Sequence, residues 1–269
     1  MNKYELTGTF KINFLGKKVF QIKALISFGN VKAGDLGGYI EKEDNLSHCG
    51  KAWVYGDAKV YGDAEVCGNA KVYGDAEVYG NAEVYGDAEV YGDAKVYGDA
   101  WVCGKAWVYG DAKVYGNAEV YGDAEVYGDA WVCENAKVCG NAKVCGNAWV
   151  CENAKVCGNA KVYGNAKVYG KAWVCENAKV CGNAKVCGNA EVCGDADYTT
   201  IKGFGSFFRC TTFFRCKDKY IRVCCGCFYG TIEEFKKKVK KTYGKTKLAV
   251  EYLKIAELME YHFSSEEVE

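Results

Sequence analysis

The chain has 269 residues, with 35 basic and 35 acidic side chains and no net charge at neutral pH, so no global field draws it to nucleic acid. It carries 33 glycines, 21 tyrosines, 17 cysteines and no proline, a bias that belongs to a repeat rather than to an ordinary globular domain. No run approaches the roughly 18 apolar residues of a helical membrane span, and no membrane partner is expected.

Residues 1–51 open the chain with alternating apolar and polar positions interrupted by lysines. This predicts two strands, about residues 4–14 and 19–26, followed by a lead-in loop, GDLGGYIEKEDNLSHCGK. The stretch lacks a continuous apolar core and a small-residue cleavage site. That reading places the chain in the cytoplasm with its thiols mostly reduced.

Residues 52–196 are a single array. From 52 to 195 the sequence is 24 consecutive hexads, A-x-V-[Y/C]-[G/E]-[D/N/K], without insertion or deletion. Alanine and valine lie two apart and so point to the same side of a strand, while the variable residue and the Tyr/Cys residue point to the other. Gly-Asp and Gly-Asn make the corner, because both members tolerate positive φ. A strand of four and a corner, repeated, coils into a ribbon whose Ala/Val side is buried only when coils stack. Leu46 and His48 fit the Ala and Val slots of a degenerate first rung.

The pattern V-x-G-[D/N]-A-x, as in Val54-Tyr55-Gly56-Asp57-Ala58, resembles the hexapeptide repeat of left-handed parallel β-helices, many of which are acyltransferases. The resemblance implies an all-β solenoid of about eight triangular coils, three hexads to a coil. It also implies that an enzyme of this kind would use a histidine as general base with an acyl-CoA donor at a subunit interface. The chain has two histidines, His48 in the lead-in and His262 near the C-terminus. His48 is the only candidate base, and a capping or solvated role competes with it. No phosphate-binding loop, GxSxG elbow or dinucleotide fingerprint is present, and no cofactor is expected.

Residues 197–269 change character. CTTFFRC and YIRVCCGCFYG, separated by Lys217-Asp218-Lys219, predict a hairpin. Thr231 with Glu234 is a capping box for IEEFKKKVKKTYG; Gly244 stops that helix, and KLAVEYLKIAELMEYHF forms a second with Leu248, Tyr252, Ile255 and Met259 on one side. The expected order is ββαα, a small α+β cap. Its segment GCFYGTIEEF is similar to segments attached to comparable repeats in bacterial and phage proteins of unknown function.

The cysteines recur every sixth residue in AWVCENAKVCGNAKVCGN, at residues 130–147 and again at 172–189. Three hexads per coil send Cys133, Cys139 and Cys145 to three different sides, so they cannot converge on one tetrahedral ion. Vertical neighbours such as Cys133 and Cys151, or the column Cys139, Cys157, Cys175 and Cys193, fall within disulfide range, although directly paired strand residues rarely offer the required dihedral. Tyrosine fills the same slot elsewhere, which argues for an outward filler. Among the C-terminal cysteines, Cys225 and Cys227 share a strand side and are the candidates for zinc or redox chemistry; small buried hydrophobes are the competing reading.

The outer surface offers ladders. Tyrosines 55, 73, 91, 109 and 127 should stack in one column and 61, 79, 97 and 115 in another. Trp131 and Trp149 fall on one side in adjacent coils, each followed by a glutamate in place of glycine, Glu134 and Glu152; these four residues are the candidate binding patch, with repeat drift as the alternative. Between residues 52 and 129 nine Asp and six Glu face five Lys, whereas residues 130–195 carry eight Lys against four Glu and one Asp. Such asymmetry suits a homo-oligomer with a head-to-tail contact, whereas the acyltransferase-like alternative would make it a trimer. The functional expectation is a non-catalytic structural or binding protein, a self-associating scaffold. Alternatives are an acyltransferase-like enzyme and a phage-type module sequestering a small-molecule or protein ligand.

Overall fold

The computed structural model describes residues 2–205, 208, 210–216, 218 and 220–264. The chain begins with an antiparallel hairpin, β1 (Tyr4–Ile12) and β2 (Lys18–Ala24), closed by Asn13, whose Oδ1 accepts from the backbone N–H of Leu15 and Lys17, both at 3.0 Å. A third strand, β3 (Leu36–Ile40), pairs antiparallel with β2 and parallel with the first hexad strand of its own face, Ile40 opposite Val60. This strand lies inside the segment read as a loop.

Twenty-four short strands follow at six-residue intervals, β4 (Trp53–Val54) to β27 (Glu191–Val192). They sort into three parallel sheets, in which each strand pairs with the one eighteen residues away. The result is a parallel β-solenoid of about nine turns. We name the three faces after Ile40, Leu46 and Trp53, which head them. The turn beyond the eight expected comes from the lead-in, where Ile40 and Leu46 already occupy core positions.

Every alanine and valine of the array is buried, as the period-two spacing dictates, and a fully buried valine contributes roughly 1.5–3 kcal/mol. Paired strands are mostly two residues long rather than four, because the corner glycine turns the chain into the left-handed region, as at Gly62 with φ +73°. The ladder still extends one residue further: Tyr61 N–H donates to Val78 O at 3.0 Å. Glycine is also required for stacking. A Cβ on Gly98 would sit 2.9 Å from the nitrogen of Gly116 in the next coil.

The first rung departs from the expected register. Leu46 bridges Val66 and so takes the valine slot, not the alanine slot. Ser47 N–H donates to Val66 O and Lys51 N–H to Gly68 O, at 2.9 and 2.8 Å. His48-Cys49-Gly50 therefore stand where later coils need one glycine, and His48 is pushed out of the core. The buried Asn45 fixes this turn: its amide donates to Gly62 O and Ala64 O, and its oxygen accepts from Glu41 and Lys42 N–H.

Among the described residues the C-terminal cap has four strands, not two. β28 (Tyr198–Ile201), β29 (Thr211–Arg215), β30 (Ile221–Cys225) and β31 (Phe228–Thr231) form an antiparallel sheet. YIRVCCGCFYG folds back on itself at Gly226, φ +62°, and is a hairpin rather than one strand. Lys217 and Lys219 of the predicted separator lie outside the described residues. Helices α1 (Ile232–Tyr243) and α2 (Lys247–Phe263) follow, α1 opened by the predicted reciprocal bonds of Thr231 and Glu234 and closed at Gly244. The buried side of α2 is Ala249, Tyr252, Ala256, Met259 and Phe263. Leu248 and Ile255, expected there, are half-buried, because the smaller Ala249 and Ala256 turn inward. The cap meets the last coil through Cys216, which bridges Ala190, and through Thr212, whose hydroxyl accepts from Lys185 N–H at 3.0 Å. Among the described residues, no helix is long and apolar enough to cross a membrane.

Candidate binding surface on the Ile40 face

Eighteen-residue spacing turns the outside of the Ile40 face into straight columns. Along its middle run Lys59, Glu77, Lys95, Lys113, Trp131, Trp149 and Lys167. Trp131 and Trp149 are stacked, ring centres 4.9 Å apart and 3° from parallel. Lys113 Nζ lies 4.7 Å above the Trp131 ring and Lys167 Nζ 3.9 Å from the Trp149 ring. The two indoles are thus sandwiched between two ammonium groups, which cover the ring faces that end the stack. Ion pairs continue the column: Lys59 and Lys95 hold the mostly buried Glu77 at 3.0 and 3.6 Å.

Beside this column the corner position carries Asp57, Asp75, Asp93, Asp111 and Asp129 in five consecutive coils, then Asn147, Asn165 and Asn183. The asparagines form an amide ladder, Asn147 to Asn165 at 3.3 Å and Asn165 to Asn183 at 3.4 Å. Asp57 is bonded to Lys11 of the N-terminal hairpin at 2.6 Å. Asp93, Asp111 and Asp129 are exposed and make no ion pair among the described residues. They line a groove of about 1040 Å³ whose floor includes Lys95, Lys113, Trp131 and Trp149. Phe14 stands at one end of the groove, edge-on to Tyr61 and Tyr79 at 6.0 and 5.4 Å.

Glu134 and Glu152 sit at the far corner of the same face, exposed, with φ +58° and +61°. They keep the left-handed conformation of the glycines they replace, at a cost of about 1–2 kcal/mol each. A third glutamate, Glu176, has the same strained backbone at φ +52°. It follows Trp173 of the second copy of the eighteen-residue segment, and Trp173 lies on the Leu46 face, a third of a turn away. Sequence reasoning missed Glu176 and the aspartate column, although counting by eighteen exposes both.

The tyrosine columns are present. Tyr61, Tyr79, Tyr97 and Tyr115 stack at 4.9–5.0 Å, as do Tyr73, Tyr91, Tyr109 and Tyr127 at 4.8–4.9 Å, while Tyr55 meets Tyr73 edge-on at 6.5 Å. The cysteines at 133, 139 and 145 lie on three different faces. One vertical pair, Cys175 and Cys193, is disulfide-bonded, with Cα atoms 4.6 Å apart. Cys225 accepts from Thr211 Oγ1 at 3.2 Å and Cys227 is exposed at the β30–β31 turn. Among the described residues no three His, Cys, Asp or Glu side chains are placed to hold a metal ion.

His48 is held from two sides. Its Nδ1 accepts from the backbone N–H of Lys3 at 3.1 Å, and its ring stacks on Tyr4 at 4.3 Å. His262 is exposed on α2. No protein-family model matches the chain, and no curated protein matches it.

Proposed function

We propose that the chain is a non-catalytic scaffold that associates with a second copy of itself through the Ile40 face. The carrying observation is the groove walled by Asp93, Asp111 and Asp129, three exposed carboxylates in successive coils that make no ion pair among the described residues. The same face carries Lys167 and Lys185 at its other end, beside asparagines rather than aspartates. Two copies laid side by side and antiparallel bring each acidic half against the other's basic half, an isologous arrangement. The Trp131–Trp149 stack lies where the corner column changes from Asp129 to Asn147, the point through which a two-fold axis would pass.

The non-catalytic part of this reading is supported by the state of His48, whose Nδ1 and ring are engaged in holding the N-terminus. Light scattering after gel filtration tests the association. A dimer at low ionic strength that dissociates as salt rises is expected, since exposed charges are screened beyond about 10 Å at 0.1 M salt. Asp111→Lys should give a monomer throughout; a monomeric parent chain at low salt overturns the association. Titration with acetyl-CoA should give no saturable binding, and saturable binding would overturn the non-catalytic reading.

A further inference from the structure

We propose that Cys133 and Cys151 form an oxidation site at which a hydroperoxide closes a disulfide between successive coils of the solenoid. The two residues follow directly registered valines, Val132 opposite Val150 on the Ile40 face. Their backbones share the ladder, Cys133 N–H donating to Val150 O at 3.0 Å. This is the relation of Cys175 to Cys193, eighteen residues apart in one column and already linked. The Cα separation there, 4.6 Å, lies within the range a disulfide spans. Cys133 and Cys151 hold the same eighteen-residue register in their own column.

The side chains are also prepared. The Cys133 and Cys151 thiols are in hydrogen-bonding contact, and the Tyr115 hydroxyl of the preceding coil reaches Cys133 as well. The bond from Cys151, aided by that from Tyr115, holds the Cys133 thiol down to about 7 against the opposing effect of burial. Cys151, the donor, is pushed up. The Tyr115 hydroxyl donates to Cys133, which makes Cys133 the attacking sulfur and Cys151 the resolving one.

The chemistry balances with a hydroperoxide as the only oxidant. The Cys133 thiolate attacks one peroxide oxygen; the O–O bond breaks, leaving a sulfenic acid and, after protonation, water for hydrogen peroxide. The Cys151 sulfur then attacks the Cys133 sulfur, the S–O bond breaks, and the thiol proton leaves with the hydroxyl as a second water. Two thiols are oxidised by two electrons and one peroxide is reduced. A small oxidant suits Cys133, which is only 6% exposed.

The test is peroxide treatment of the full chain, alkylation, and cleavage after lysine without reduction. The expected product joins the peptide 114–137 to the peptide 144–155, with fragment ions placing the link at Cys151 rather than Cys145, and two alkylatable thiols are lost. In Cys151→Tyr, which installs the residue that the next coil carries at Tyr169, the link should vanish and dimedone should trap a sulfenic acid on Cys133. Full alkylation of Cys133 and Cys151 after peroxide overturns the proposal, as does linkage of Cys133 to any other cysteine. The Cys175–Cys193 pair is the internal control, protected before and after.

Discussion

The Cβ that Gly116 lacks would lie 2.9 Å from the backbone nitrogen of Glu134, one coil further on. Both residues hold positive φ, +70° and +58°, but only one of them is a glycine. Gly116→Ala should therefore destabilise the chain by about 2 kcal/mol or more, combining backbone strain with the close contact. Glu134→Gly should stabilise it by about 1 kcal/mol, less whatever the added freedom of the unfolded chain costs. Urea midpoints at unchanged slope give both values. A destabilised Glu134→Gly would mean that the glutamate side chain contributes more than its backbone costs.

The indole stack makes a second prediction. Trp131→Ala and Trp149→Ala, alone and together, should couple by about 0.5–1.5 kcal/mol in a double-mutant cycle. Lys113→Met should weaken the Trp131 side by about 0.5–1 kcal/mol, the usual worth of an exposed cation–π contact. Additive single effects in the cycle would show that the rings merely lie near one another.

Alkaline pH should unfold the solenoid through its tyrosines. Burial pushes the Tyr79 hydroxyl up to about 12; hydrogen bonds to Cys139 and Cys145, with burial, push Tyr121 and Tyr127 up to about 12. The folded state then binds more protons than the unfolded state between pH 10 and 12. Its stability is complete below the unfolded value near 10 and falls as pH rises through 12. Melting temperature measured across that window should drop steadily, and a flat profile would remove these hydroxyls from the ledger.

Deleting residues 112–129, one complete coil, should leave a folded chain, because each coil contacts mainly its neighbours. The junction restores every column: Asp111 is followed by Ala130 as it was by Ala112. Circular dichroism should keep the parent's shape, and small-angle scattering should report a body shorter by about 4.8 Å, one strand spacing. Loss of cooperative unfolding would show that this coil carries more than its share.

The hexad was legible because its requirement is written in every unit: alanine and valine at period two, then a residue that accepts positive φ. The capping box at Thr231 and Glu234 was legible for the same reason, being wholly local. β3 was not, since Gly38 stands in the alanine slot, where a Cβ would lie 2.7 Å from Ala58 O. The two extra residues at His48 and Cys49 then broke the count. The cap's additional strands depend on pairing with β29 and β30, which no local pattern announces. For the candidate patch, spacing alone placed Trp131 over Trp149, whereas the lysines that cover both rings come from side-chain packing. Which stacked cysteines are bonded is likewise decided by sulfur positions, to which a repeat unit is blind.

The two copies of AWVCENAKVCGNAKVCGN start 42 residues apart, and their tryptophans Trp131 and Trp173 stand on different faces. A gene that gains or loses any whole number of hexads by replication slippage therefore encodes the same interior every time. What such an event changes is the decoration: everything beyond the junction is dealt onto a new face unless the number is a multiple of three. Inheritance in this chain has two tempos, a fixed one for the alanine and valine inside, and a faster one that reshuffles the outside without risking the fold.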